Sequence, residues 1–189
     1  MADSSTMKWS LPNLRTAYNA LNMANGALTG HLTKMIAGTT FTMASQAQCL
    51  NKNGDARDCY SGKTNDTGIT YYSSSSNLQI PLTNFLHEIG HLIDAVPATL
   101  DTFSNPLRPE TKHPTWVDSA GYVDSNLVNN NLIEPIQAKP MNEPNSANEW
   151  WADAFANYVA HNINVNEASG AGSDMYDYVH DALQPYTNP

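Results

Sequence analysis

The chain has 189 residues, with 9 Lys and Arg against 18 Asp and Glu, a formal charge of -9, and only 14% charged residues. A chain of this length buries roughly 70% of its unfolded surface, so it can build a core without a disulfide framework, and one domain spanning 1–189 is the economical reading. The negative balance and the absence of any Lys/Arg cluster exclude nucleic acid and an anionic membrane surface as partners, and no apolar run approaches the roughly 20 residues of a membrane span.

The opening residues, Met1 to Lys8, lack the basic-then-apolar pattern of a signal peptide. Leu14, Ala17, Tyr18, Leu21, Ala24, Leu28, Leu32 and Met35 recur at spacings of three and four, which predicts helix from Leu14 to Ile36 with that stripe turned to the core. Pro12 suits its first turn, and Gly26 and Gly30 are the places where it divides in two. Thr39 to Ala44 and Gly68 to Ser73 are rich in β-branched and aromatic residues and are predicted strands. Between them Cys49 and Cys59 flank Asn53-Gly54, a strong hairpin signal whose strands can bring the two sulfurs together. That disulfide, with a surface poor in charge and rich in Asn, Ser and Thr, leads us to expect a secreted protein. Two separate reduced thiols are the other reading of the pair.

Leu78-Gln79-Ile80 is predicted as a short strand, and Pro81 opens the next helix. Prolines at 97, 106, 109, 114, 135, 140 and 144 then punctuate a polar region, predicted as loop from 97 to 147 with a short helix around Asp118 to Leu127. A loop of such length inside a domain is usually functional, and it is expected to wall a cleft. Helices are predicted from about Ala147 to Ile163 and from Ser173 to Leu183. The fold class is α+β: an N-terminal α/β part over about 10–96, the loop region 97–147, and a C-terminal helical part over 148–189.

The chemistry concentrates in His87-Glu88-Ile89-Gly90-His91, an H-E-x-x-H pattern. Two histidines four apart on one helix face can hold zinc, and the glutamate between them can act as general base. At about 100° per residue, Phe85, Leu86, Ile89, Leu92, Ile93 and Val96 fall on one side of the helix, with Asn84, His87, Glu88, His91 and Asp94 on the other. One side is core and the other is a polar site. A zinc site needs at least a third protein ligand. Asp94 lies seven residues beyond His87 and is assigned to orienting an imidazole or to a local structural role.

Glu149 is the better third ligand, because its helix face carries Glu149 and Asp153 and otherwise only small residues, so that face can approach another helix closely. Trp151, Phe155 and Tyr158 lie away from that face and supply packing. Asp153 is then placed to hold a ligand imidazole in orientation. Ser146-Ala-Asn-Glu149 also reads as a capping box, and under that reading the ligand is Glu143, Glu134 or another residue. The remaining histidines, His31, His161 and His180, are read as ordinary helix residues.

His87-Glu-Ile-Gly-His91 followed by Glu149-x-x-x-Asp153 resembles the gluzincin zinc metallopeptidases, and the longer segments His87 to Asp94 and Glu149 to Phe155 look most like the anthrax lethal factor catalytic domain and the Pro-Pro endopeptidases. The resemblance covers residues 78–96 and 148–159. It implies a zincin-like domain with a small mixed, twisted sheet, one Zn²⁺ per chain held by His87, His91 and Glu149, and a peptide or protein substrate cut by a water that Glu88 activates. It also implies a sheet edge that pairs with extended peptide, placed at Gly68 to Ile80. The chain departs from the family in one respect. Relatives carry a tyrosine shortly before the third ligand as oxyanion donor, whereas no Tyr occurs between Val123 and Asn148 here, and Tyr122 or His113 are the substitutes within the same loop. Two other readings compete: a zinc-holding or toxin-like module without catalysis, and a metal-free adhesion domain using its Asn- and Tyr-rich surface.

Overall fold

Ser10 starts the first helix, α1 (Leu11–Ala27), by accepting a hydrogen bond from the Asn13 amide at 3.3 Å, with Pro12 in the first turn. The computed structural model describes residues 8–45, 62–65, 68–73, 79–94, 127–129 and 146–187. Gly26 stays helical, and α1 ends beyond it at Thr29 and Gly30, whose φ values of 47° and 88° are left-handed. There Gly30 N–H donates to Asn25 O at 2.8 Å and Thr29 N–H to Gly26 O at 3.1 Å, closing the orphan carbonyls of the last turn. A single helical turn, α2 (Leu32–Met35), follows.

The next elements are the strands β1 (Thr40–Ser45), β2 (Gly62–Asn65) and β3 (Gly68–Ser73). They form a sheet in the order β1-β3-β2, with β1 parallel and β2 antiparallel to β3, so the sheet is small and mixed as expected. Then come α3 (Leu82–Asp94), α4 (Ser146–Val159) and α5 (Ala171–Thr187). The architecture is α+β. Among the described residues no helix is long and apolar enough to cross a membrane.

Helix α3 lies at the centre. Its buried Phe85, Leu86, Ile89 and Ile93 join Met43, Ile69 and Tyr71 from the sheet on one side, and Trp151, Phe155 and Ala156 of α4 on the other. Each such side chain taken from water contributes about 1.5–3 kcal/mol. Met175, Val179 and Leu183 of α5 cover α4 from outside.

Four expectations are corrected. The predicted stripe holds only in part: Ala24, Leu28 and Leu32 are buried and Ala17, Leu21 and Met35 pack against the core, but at the start of α1 Asn13 and Thr16 face inward while Leu14 and Tyr18 are exposed. The cause is polar. Asn13 Oδ1 accepts the buried Ile80 amide at 2.8 Å, and Thr16 Oγ1 accepts from Gln79 Nε2 at 3.2 Å. Those same bonds correct the strand predicted at 78–80, since the Ile80 amide that a ladder would use is taken by a side chain, and Gln79 and Ile80 stand outside the sheet. The edge placed at Gly68 to Ile80 moves as well. β3 is the central strand, and β2, which lacks strand propensity in Gly62 and Asn65, is the edge beside α3. Finally, Trp151 and Phe155 do not pack away from α3. Trp151 Nε1 donates to Gly90 O at 2.9 Å, in the middle of the α3–α4 contact.

Candidate metal centre

Two features of sequence bring α3 and α4 together closely enough to share an ion. Gly90 offers no side chain: a Cβ there would stand 2.9 Å from Ala152 Cα and 3.2 Å from Phe155 Cδ1, so the helices meet backbone to backbone at Gly90 and Ala152. The bond from Trp151 to Gly90 O fixes their rotation. Glu149, in the first turn of α4, then stands over His87 and His91, which sit one turn apart on α3 with rings 4.5 Å apart and perpendicular.

His87 Nε2 and His91 Nε2 lie 3.3 and 3.4 Å from the same atom, Glu149 Oε2. Ligand atoms about 2.0–2.1 Å from a tetrahedral zinc are about 3.3–3.4 Å from each other, whereas a charge-assisted hydrogen bond would draw the pairs to about 2.7–2.9 Å. The separations match the edge of a metal tetrahedron. Two imidazoles and one carboxylate are a donor set that suits zinc and leaves a coordination position open. His87, His91 and Glu149 have ligand atoms all within 4.8 Å of one another and are the one group of this kind among the described residues.

Behind the ligands, Asp153 Oδ1 lies 3.3 Å from His87 Nδ1. A proton on Nδ1 donated to that carboxylate would leave the Nε2 lone pair free for a metal held between His87, His91 and Glu149. Asp153 is buried, and Asn157 Nδ2 donates to its backbone carbonyl at 3.0 Å one turn on. Burial works against the charged form of His87, but the Asp153 and Glu149 carboxylates outweigh it and raise the imidazole to about 10. Burial likewise pushes the Asp153 carboxyl upward, against the pull of His87. For Glu149, burial is outweighed by His87 and His91, which hold its carboxyl well below the usual carboxylate range.

Glu88 is outside the ligand set and buried. Its carboxylate meets β2: Thr64 Oγ1 is 2.6 Å from Glu88 Oε2 and 3.1 Å from the Glu88 carbonyl oxygen. The helical wheel places Glu88 on the polar side but cannot show this cover. Beneath it, the Tyr71 hydroxyl is buried without a hydrogen-bond partner among the described residues, and burial, then the charge of Glu88, holds the phenol well above its ordinary range.

His87, Glu88, His91, Glu149 and Asp153 are therefore gathered in one place. Asp94 is buried at the end of α3 and is not part of the ligand group. Tyr122, His113, Cys49 and Cys59 lie outside the described residues, as do nearly all of the loop 97–147 and the alternative ligands Glu134 and Glu143. Of the other histidines, His31 precedes α2, and His161 follows α4 with a left-handed φ of 52°. His180 of α5 is partnered, by the Tyr158 hydroxyl at 2.8 Å on Nδ1 and by Gln184 Nε2 at 2.7 Å on Nε2. Sequence reasoning missed Thr64 and Gly62. The available signal was Asn65 and Gly68, residue types that favour turns and that pair with one another where β2 meets β3.

The chain matches no known protein family, no characterised protein and no solved structure. The reading of the site rests on its own geometry.

Proposed function

We propose that the chain is a zinc-dependent endopeptidase of gluzincin type, with a zincin-like arrangement of sheet, H-E-x-x-H helix and third-ligand helix. The observation that carries this reading is the convergence of His87 Nε2 and His91 Nε2 on one oxygen of Glu149, with Glu88 next to His87 on the same helix, near enough for its charge to act on that imidazole, and outside the set. A purely structural zinc site has no use for such a carboxylate.

His87, His91 and Glu149 would hold the metal. When bound, zinc supplies Lewis acidity, polarising a carbonyl and acidifying water. Asp153 keeps His87 in the tautomer that presents Nε2. Glu88 takes the proton of the attacking water and delivers it to the amine that leaves as the peptide bond breaks. The partner is a peptide or protein, and the surface poor in charge suits work outside the cell.

The test is mass-spectrometric cleavage of a diverse peptide pool, proline-rich members included, by zinc-loaded protein beside its Glu88→Ala variant. We expect one zinc per chain in both, cleavage by the first, and a loss of about 10²–10⁴-fold in the second. If neither cuts while both hold zinc, the site belongs to a metal-holding module instead.

A further inference from the structure

We propose that Thr64 is a positioning residue for Glu88, its hydroxyl fixing the orientation of the carboxylate that acts as general base. The inference rests on the metallopeptidase reading above.

Thr64 carries one hydroxyl proton and faces two acceptors of Glu88. The carboxylate oxygen at 2.6 Å is the nearer, in the range of a hydroxyl donating to a charged oxygen, and the carbonyl at 3.1 Å is the weaker partner. The donor is itself fixed: Thr64 is β-branched, with restricted χ1, and stands opposite Ile69 in the β2–β3 register. Gly62, two residues back on the same face of the strand and opposite Tyr71, closes the other side. A Cβ on Gly62 would stand 2.5 Å from Glu88 Oε1 and 2.6 Å from both Cδ and Cγ, so the glutamate occupies the space a side chain would fill. A free glutamate on a helix samples many rotamers. Here one oxygen is anchored by a hydroxyl, and the stem lies in the slot over Gly62. A general base transfers a proton only within hydrogen-bond reach and in the right direction, and β2 supplies that direction from outside the metal ligands.

Two substitutions separate the hydroxyl from the slot. Thr64→Val keeps the shape and removes the donor; Thr64→Ser keeps the donor. In zinc-loaded protein Thr64→Val is expected to lower kcat by about tenfold to a hundredfold with KM within about twofold, and Thr64→Ser to restore kcat to within about threefold of the parent. Gly62→Ala, which pushes Glu88 out of its slot, lowers kcat while one zinc per chain is retained. An independent readout needs neither metal nor substrate: a double-mutant cycle of Thr64→Val and Glu88→Gln on the unfolding equilibrium of the metal-free chain, expected to depart from additivity by about tenfold.

Three results overturn the proposal. An additive cycle means that the contact is absent. A parent that cuts peptide and a Thr64→Val variant that keeps kcat within twofold sink the role of Thr64 and leave the peptidase reading standing. A zinc-loaded parent that cuts nothing sinks both, and a coupled cycle would then mark Thr64 as a tie between β2 and α3 only.

Discussion

His87 is engaged at both ring nitrogens, Nδ1 by Asp153 and Nε2 by Glu149, each at 3.3 Å. The two contacts do different things. Glu149 shares the position an ion would take, whereas Asp153 sets which nitrogen carries the proton. Asp153→Asn keeps the shape of the side chain but removes its charge and allows the amide to donate as well as accept. The variant should still bind one zinc per chain, with affinity weakened by about 10–100-fold. Competition against a chromophoric chelator measures this, and an affinity within twofold of the parent would detach Asp153 from the metal site. These residues were legible in the sequence because each pair is local: His87 with His91, and Glu149 with Asp153, are four apart on one helix. Thr64 was not, since its meaning depends on a strand pairing that brings it beside a residue 24 positions away.

At the scale of elements, everything depends on how near α4 comes to α3. Gly90 is a poor helix former, costing about 0.8–1.0 kcal/mol relative to alanine, so helix propensity alone favours Gly90→Ala. The packing says otherwise. A Cβ at 2.9 Å from Ala152 Cα meets backbone, which cannot swing aside, and overpacking of this kind costs about 1–3 kcal/mol. The two helices would have to part, carrying Glu149 away from the histidines. Gly90→Ala should therefore be less stable in urea unfolding by about 1 kcal/mol and bind zinc more weakly than the parent. A variant more stable than the parent, with zinc affinity retained, would show that the close approach is dispensable.

The same scale shows where periodicity misleads. The helices were placed within a few residues because α3 and α4 bury residues at helical spacing. In the first turns of α1 the apolar stripe is not the face that packs: the buried Ile80 amide claims Asn13, whose inward position leaves Leu14 and Tyr18 exposed, while Ala24 and Leu28 further on are buried as their spacing implies. β2 escaped notice for the opposite reason. Gly62-Lys-Thr-Asn65 has almost no strand propensity of its own and is held by the register against β3 and by contact with α3.

For the whole molecule, the cluster links stability to pH and to metal in opposite directions. In the metal-free chain the His87 imidazole, raised from 6.5 to about 10 by its carboxylate neighbours against the effect of burial, contributes stability that is complete below pH 6.5 and lost as pH climbs through 10. Glu149, lowered from 4.5, contributes stability that is complete above pH 4.5 and lost as acid reaches its depressed value. The share that His87 and Glu149 contribute to metal-free stability is thus greatest between 4.5 and 6.5, while Asp153, whose carboxyl burial pushes upward, contributes in the other sense, its share lost as pH rises. A metal needs the Nε2 atoms unprotonated, so zinc competes with the proton that stabilises the empty cluster. Thermal unfolding followed from about pH 6 to about pH 9 should show Tm of the metal-free protein falling with pH, and the increment in Tm produced by zinc growing over the same interval. His87→Ala should lose most of the pH-linked part of the metal-free decline together with the zinc increment. A zinc increment that stays flat or shrinks as pH rises would mean that the ion binds elsewhere, and that the convergence of His87, His91 and Glu149 serves only to pair charges.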